Sequence, residues 1–274
     1  MILVSLLLVF AVERMIAKSA FWQGDRYIAR YSQFVQDQGW LSDSSSNWVV
    51  YLILILPALV AGWLHGMVDN ALIALIINCF VLMLAIGCPN LRIAFKGYLQ
   101  AANRGEMQEC DKYAQVLDFN PQSGYSFGQH IVWINFRHYM AIALWFVAFG
   151  VAGVVLYSVF RYSAAKLLQQ EHPQSENVAK FLFVIEWLPA RLATFGFLLV
   201  GHFSNGFAVW ARYLANTQAD AKEVIAKVAK ATEIIEPDQH DCTEEPCTML
   251  RLAKRNVMLL LVIVALLTLS GWLP

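Results

Sequence analysis

The chain of 274 residues is 58% hydrophobic and only 15% charged, and its mean hydropathy is +0.51. A soluble domain of this length would be about one quarter charged, so this composition excludes an ordinary water-soluble protein and indicates an integral membrane protein. The net charge is zero, so the overall charge gives no sign of a nucleic-acid partner.

Six apolar runs match a bilayer whose hydrocarbon core is about 30 Å thick. They comprise residues 1–16, 48–66, 70–88, 138–160, 181–203 and 256–273. Residues 1–16 have the apolar run of a signal peptide but no basic start and no small-residue cleavage site, so we interpret them as a retained spanning helix. The polar segments 90–137 and 204–255 space their apolar residues as amphipathic helices do. The sequence therefore predicts an all-α fold, a single polytopic membrane helix bundle with about six spans and two helical polar segments.

Lys and Arg are distributed unevenly between the two sides that six spans would create. Residues 18–47, 90–137 and 204–255 together carry 15 of the 20, whereas the opposite side carries 3, all in residues 161–180. Loops rich in Lys and Arg remain in the cytoplasm. The count therefore predicts that the first three segments are cytoplasmic, and that residues 161–180 and both termini face the other side of the membrane.

The run of residues 181–203 carries two charges, Glu186 and Arg191, with Pro189 between them. A charge near the bilayer centre costs at least about 2.5–3.5 kcal/mol, so such residues face a bundle interior or a wet cavity. Pro189 either leaves the carbonyl of Ile185 free for a donor such as Arg191, or begins a new helix after a re-entrant piece. Two interpretations stay open: the charges are structural contacts with each other or with neighbouring helices, or they form a functional site.

Two further polar clusters lie at the ends of predicted spans. Asn135, Arg137 and His138 lie at the start of the fourth run, and Glu13 and Arg14 lie near the end of the first. Each cluster either anchors its helix at the membrane surface or faces a polar cavity, where it would bind an anion.

No motif of a soluble enzyme is present, because the phosphate-loop, dinucleotide, zinc-protease and nucleophile-elbow patterns are all absent. The segment QHDCTEEPC contains His240, Cys242 and Cys247, but a structural zinc site needs a fourth ligand and usually a closer cysteine pair. We therefore predict an ordinary loop there, with no metal and no cofactor. The five cysteines are an odd number without regular spacing, and they predict no disulfide framework.

Two blocks carry a resemblance to a known family: WINFRHYMAIALWF at residues 133–146 and EWLPARL at residues 186–192. In this order, on a multi-span chain of this size, they resemble the AmpE family of inner-membrane proteins. The resemblance implies a role in the regulation of β-lactamase induction and in cell-wall recycling in Gram-negative bacteria.

The EWLPARL block is also similar to the CobD/CbiB family of adenosylcobinamide-phosphate synthases. Those membrane enzymes join an aminopropanol unit to a corrin carboxylate, and Asn135 matches an asparagine that precedes their fourth apolar run. Their second motif is missing here, because residues 157–165, YSVFRYSAA, contain no carboxylate or amide side chain. The departure favours a relative that keeps the scaffold and lacks the reaction.

The residues and the resemblance together predict a regulatory or sensory protein that binds a polar or anionic ligand, such as a cell-wall fragment, between helices. The predicted ligand-binding residues are Glu13, Arg14, Asn135, Arg137, His138, Glu186, Trp187 and Arg191. The alternatives are a membrane amide-forming synthase and a transporter of wall fragments. The predicted partners are the lipid bilayer and this ligand, without nucleic acid, and a homodimer stays open.

The missing acidic motif generates a first prediction, that the chain does not catalyse ATP-driven amide formation on a corrin. Such a reaction needs a metal-bound nucleotide held by oxygen ligands, and residues 157–165 offer none. Expression in a corrin-synthase deletion strain fed cobyric acid should not restore growth. Growth that depends on the chain and is lost with Glu186→Gln would instead establish the enzyme.

Overall fold

The computed structural model describes residues 1–15, 22–40, 47–235 and 242–273, and within these ranges the backbone forms helices and no β-strand. The all-α prediction is confirmed. The helices are α1 (Ile2–Met15), α2 (Gly24–Asp37), α3 (Asn47–Gly66), α4 (Ala71–Ala85), α5 (Pro89–Asn103), α6 (Met107–Val116), α7 (Phe127–Asn135), α8 (Ala141–Gln169), α9 (Ser175–Val200), α10 (Phe203–Leu214), α11 (Ala221–Thr232) and α12 (Glu244–Leu269). A π-helical turn, Phe136–Met140, joins α7 to α8, and a short 3₁₀ turn, Pro121–Ser123, precedes α7.

Local side-chain chemistry sets several of the helix ends. The side chain of Asn70 accepts hydrogen bonds from the backbone N–H groups of Leu72 and Ile73 and so caps α4. At α7, Ser126 and Gln129 form a reciprocal capping box, which satisfies two backbone donors of the first turn. These caps begin each helix at the residue where the apolar pattern starts.

Four helical stretches are long and apolar enough to cross a membrane: Asn47–Gly66, Phe127–Gln169, Ser175–Val200 and Glu244–Leu269. A fifth arises if α4 and α5 count together as one broken span. With 14 residues, α1 extends about 21 Å at 1.5 Å per residue, which is short of the roughly 30 Å core. The described residues thus support four or five spans, and the separate spans at residues 1–16 and 70–88 stay predictions.

The chain divides into two structural units, and the first comprises residues 1–87, 141–186 and 263–274. Its centre is the contact between α3 and α8, where a side chain at Gly62 would come within 2.9 Å of Ala152. A small residue is required there because the two backbones approach closely. Helix α8 itself is broken at Gly150, whose φ of 58° and ψ of −141° suit glycine.

Helix α2 packs against the C-terminal part of α8 in this unit. Arg161 of α8 forms an ion pair with Asp25 at 3.2 Å, and Lys166 donates to the hydroxyl of Ser32 at 3.4 Å. One turn later, Gln36 of α2 donates to Gln170 at 3.3 Å. Polar contacts therefore follow α2 along its whole length and place it beside the end of α8.

These contacts correct part of the predicted side assignment. Asn177, in the first turn of α9, donates a 2.8 Å hydrogen bond to the side chain of Asn47, at the start of α3. The charge count placed residues 18–47 and 161–180 on opposite sides of the membrane, whereas the structure brings the two segments together. The count assumed that every apolar run crosses the bilayer, whereas four helical stretches among the described residues are each long and apolar enough to do so. One run that does not cross would reverse the sides of all that follow.

The second unit comprises residues 88–140 and 187–262. Helices α5 and α6 form a hairpin whose aromatic residues gather around Phe127, including Tyr98 with a ring centroid 4.3 Å away. Helices α10 and α11 form another hairpin around the buried side chains of Val224 and Val228. The side chain of Gln129 in α7 donates to the carbonyl of Ala226 in α11 at 2.8 Å, which ties those two helices together.

The corrected side assignment can be tested by cysteine labelling of the full chain after replacement of its five native cysteines. Gln38→Cys and Glu171→Cys, both at exposed positions, should react alike with a membrane-impermeant maleimide in intact cells, because their segments contact each other. Met67→Cys, also exposed and beyond the other end of the 20-residue α3, should give the opposite result. If positions 67 and 171 label alike and position 38 differs, residues 18–47 and 161–180 lie on opposite sides of the membrane, as the charge count predicted.

Candidate functional site

Arg191 is the most deeply embedded cation of α9, and its side chain binds backbone carbonyls. The residue is 3% exposed, and Nη2 donates to the carbonyl of Asn216 at 2.8 Å and to that of Ala219 at 3.4 Å. Nη1 donates to the carbonyl of Trp187 at 3.2 Å. Arg191 therefore holds the connection between α10 and α11 against α9, a role that suits the planar, multi-donor guanidinium.

This geometry shows how the charge of Arg191 in α9 is held. None of the hydrogen bonds of Arg191 goes to Glu186, so the two residues do not neutralise each other through a direct pair. Helix α9 also continues through Pro189 as one element, which excludes a separate re-entrant piece before the proline. Within its own helix, Arg191 donates a hydrogen bond to the carbonyl of Trp187. The predicted hydrogen bond to the carbonyl of Ile185 is wrong.

Trp187 and Arg191 also carry donors that the protein leaves unused. The guanidinium lies over the indole ring, 4.4 Å from its centroid, which places the two side chains in contact one helical turn apart. Within the described residues, neither the Nε1 of Trp187 nor the Nε of Arg191 has a hydrogen-bond acceptor, although both atoms are buried. Buried donors in native proteins are nearly always satisfied, so this pair can take an acceptor group from outside the chain. We call these two atoms the α9 donor pair.

The α10–α11 hairpin that Arg191 holds is reinforced from both helices. Trp210 donates from its indole to the carbonyl of Arg191 at 3.4 Å, and Tyr213 donates to Glu223 at 2.8 Å. Burial, followed by the hydrogen bond to Glu223, raises the pKa of Tyr213 to about 12. Tyr213 thus remains a protonated donor throughout the physiological pH range.

Glu186 lies in the first unit and is also deeply buried, at 4% exposure. The hydroxyl of Tyr157 in α8 donates to its carboxyl group at 2.9 Å. This contact ties α8 to α9 within the unit. It explains how the sequence tolerates an acidic side chain in the middle of an apolar run.

The cluster around residue 137 occupies an unusual piece of backbone. Arg137 and His138 lie in the π-helical turn, and Asn135 ends α7 directly before it. Arg137 lies over the ring of Trp133 at 5.4 Å from its centroid, and Trp133 in turn stacks on Phe136. Single π-helical turns occur frequently at functional sites, because the extra residue redirects side chains. None of the hydrogen bonds of Arg191 reaches this cluster.

The remaining predicted residues divide between burial and exposure. Glu13 of α1 is 7% exposed, while its neighbour Arg14 is exposed, so the two do not form one buried ligand pair. By unit, Glu13, Arg14 and Glu186 belong to the first, whereas Asn135, Arg137, His138, Trp187 and Arg191 belong to the second.

The cysteine-containing loop gives no metal site within the described part of the chain, where no group of three His, Cys, Asp or Glu side chains could hold an ion. His240 lies outside the described residues. The Sγ of Cys242 lies 3.7 Å from the sulfur of Met107, and the carbonyl of Cys242 accepts a hydrogen bond from Tyr98. These contacts link the segment to the α5–α6 hairpin.

Sequence reasoning missed several polar residues inside the apolar helices. Asn78, Ser158 and Asn256 are each at most 5% exposed, and each has a side-chain oxygen without a hydrogen-bond partner among the described residues. Asn256 nevertheless donates to the carbonyl of Ala193 at 2.8 Å, and the absence of a side chain at Gly196 makes room for it. The signal that could have found these residues is a single polar letter inside an otherwise apolar run.

Comparisons with known proteins agree with the blocks from which the resemblance was drawn. The model of a family described as "Regulatory signalling modulator protein AmpE" matches residues 1–274. A curated relative, "Protein AmpE" from Shigella flexneri, is 25% identical over 286 residues, which cover 99% of each chain. No solved structure matches the chain.

The carbonyl contacts of Arg191 generate a stability prediction. Arg191→Ala should lower the free energy of unfolding by about 1–3 kcal/mol, because the carbonyls of Asn216 and Ala219 lose their donor. Thermal unfolding in detergent would measure the loss, and Arg212→Ala, at an exposed position of α10, is the matched control.

The same variant tests the absence of a pair with Glu186. If Arg191 does not neutralise that carboxylate, adding Glu186→Gln to Arg191→Ala should not restore stability or membrane abundance. Recovery of wild-type abundance in the double variant would show that the two charges compensate each other after all.

Proposed function

Since the chain belongs to the AmpE family, we propose that it is an inner-membrane regulatory protein linked to β-lactamase induction and cell-wall recycling. The family match extends over residues 1–274, and the curated relative is covered almost completely, so the comparison concerns the whole chain. Four apolar helices of spanning length support the membrane location. The family description supports the regulatory role.

The ligand of this proposal is a polar or anionic molecule, such as a cell-wall fragment, bound in the second unit at the α9 donor pair. The observation that carries the proposal is that the Nε1 of Trp187 and the Nε of Arg191 are buried donors without acceptors, in two side chains already in contact. Carboxylate, phosphate and amide oxygens are acceptors of the kind that each of these donors lacks. Such charge-assisted hydrogen bonds are about twice as strong as neutral ones.

A route from the ligand to the rest of the second unit follows from the contacts of Arg191. The same guanidinium holds the carbonyls of Asn216 and Ala219, immediately before α11 begins. Helix α11 is tied to α7 by the hydrogen bond from Gln129 to Ala226. A ligand that draws the guanidinium toward itself would therefore alter the position of α11, and with it the first turn of α7, which contains Gln129.

The proposed orientation keeps the two long polar segments in the cytoplasm. Residues 90–137 and 204–255 carry 12 of the 20 Lys and Arg residues of the chain, which is the bias expected of cytoplasmic loops. Both segments belong to the unit that contains the donor pair. A cytoplasmic regulatory partner would thus have access to α10 and α11.

The proposed function predicts a defect in β-lactamase induction when the donor pair is impaired. Deletion of the gene in its native host should change inducible β-lactamase activity, and the wild-type chain should restore it. Trp187→Phe keeps an aromatic ring beneath Arg191 but removes the N–H donor, so it should fail to restore regulation at normal membrane abundance.

The matched control is Trp272→Phe, because Trp272 is 83% exposed and belongs to no predicted site. Full restoration by Trp187→Phe would remove the donor pair from the ligand site. An unchanged induction response in the deletion strain would contradict the regulatory role itself.

A further inference from the structure

A cavity of about 270 Å³ lies within the first unit, between α2, α3, α4 and α8. This volume is just below the range of about 300–1,000 Å³ that is typical of small-molecule sites. Its walls are mainly apolar and comprise the aliphatic side chains of Ile28, Pro57, Val81, Leu84, Ala85, Val154, Val155 and Val159, together with the rings of Tyr27 and Tyr31. None of the residues predicted from the sequence to bind a ligand lines it.

The aliphatic part of this cavity extends deep into the predicted span of α3. Pro57 lies ten residues after Asn47, which corresponds to a depth of about 15 Å at 1.5 Å per residue. That depth is about half of a hydrocarbon core of roughly 30 Å. An apolar cavity of this kind stays free of water but accepts an apolar molecule.

The opposite part of the cavity is charged and reaches the protein surface. It is lined by the ion pair of Arg161, whose side chain is 7% exposed, and Asp25, whose side chain is 48% exposed, with 3.2 Å between their atoms. Helix α2, which carries Asp25, is strongly amphipathic in sequence and exposes two further cations, Arg26 and Arg30.

A buried hydroxyl of α8 also lines the cavity, three residues before Arg161. The hydroxyl of Ser158 lines the cavity, its residue is 5% exposed, and its oxygen has no hydrogen-bond partner within the described residues. A helical serine commonly donates a hydrogen bond to the carbonyl one turn earlier. A buried hydroxyl without such a bond lowers the stability of the protein. A hydrogen-bonding group of a ligand that enters from the charged end would remove that cost.

From this arrangement we infer that the cavity binds one acyl chain of a zwitterionic phospholipid whose head group carries a phosphate and an ammonium. The aliphatic wall takes the chain, the hydroxyl of Ser158 donates to an ester oxygen, and the ion pair takes the head group. Arg161 attracts the phosphate, with support from Arg26 and Arg30, and the half-exposed carboxylate of Asp25 attracts the ammonium. This site belongs to the first unit and goes beyond the proposed regulatory function.

The inference can be tested by photolabelling the full chain in vesicles of phosphatidylethanolamine and phosphatidylglycerol. The probe is phosphatidylethanolamine with a diazirine in the middle of one acyl chain, and mass spectrometry locates the labelled residues. We expect labels on the lining residues of α4 and α8, such as Val81 and Val155. Ala85→Phe should fill the cavity and reduce these labels several-fold, whereas Ile76→Phe should not, since Ile76 is 68% exposed on the same helix.

The head-group part has its own measurement, which does not depend on the cavity-filling variant folding correctly. Labelling by the phosphatidylethanolamine probe should exceed labelling by the matching phosphatidylglycerol probe, which lacks the ammonium. Asp25→Asn should remove this preference, a change of about two- to fivefold for a half-exposed ion pair. Ser158→Ala should weaken labelling by both probes and leave their ratio unchanged.

Two results would overturn the inference. Labels confined to outward-facing residues, at equal levels in Ala85→Phe and Ile76→Phe, would show that lipid only surrounds the helices. Equal labelling by both probes and by a diazirine-bearing alkane would show that the cavity takes any apolar molecule and that the ion pair is structural.

Discussion

The burial of a guanidinium in α9 is the constraint on which the second unit depends. Arg191 cannot remain in an apolar helix unless its donors find acceptors, because an unsatisfied charge in that environment is costly. The chain supplies them as backbone carbonyls from the α10–α11 connection, which lies 25 and 28 residues further along the sequence. The hairpin is thereby fixed to α9, and its aliphatic core around Val224 can form.

The first unit meets the same constraint with side chains. Its acidic and basic groups, Glu186 and Arg161, are held by Tyr157 and Asp25 respectively, and each contact joins α8 to another helix. Close backbone approach at Gly62 brings α3 onto the same helix. Polar contacts therefore determine which helices meet along α8, while small residues determine how near they come.

The two units suit a regulator that senses one molecule and responds elsewhere in the same unit. In the second unit, the guanidinium of Arg191 has one donor without an acceptor and also binds the residues before α11. A ligand bound to that guanidinium would therefore act directly on the position of α11. The π-helical turn after α7 belongs to the same unit, and turns of this kind are frequent at functional sites. In the first unit, the aliphatic cavity and its ion pair would make the protein sensitive to the lipid around it.

The sequence by itself determined the helical class, the membrane environment and the family. A bilayer offers no hydrogen bonds to the backbone, so apolar runs of this length must be helical whatever their neighbours are. The EWLPARL block likewise pointed correctly to α9 as the segment with a buried charge. What the sequence left open was the partner of each charge, because helical periodicity gives the face of a residue and not the element opposite that face.

Only the tertiary structure decided those partners. Arg191 binds distant carbonyls instead of Glu186, and Asn47 meets Asn177 across 130 positions, which overturned a side assignment built from charge counts alone. The cavity is lined by residues from four helices, spread from Gly24 to Arg161, and no local pattern marks them as neighbours. Contacts of this kind arise from the packing of whole helices, whose geometry depends on every side chain between them.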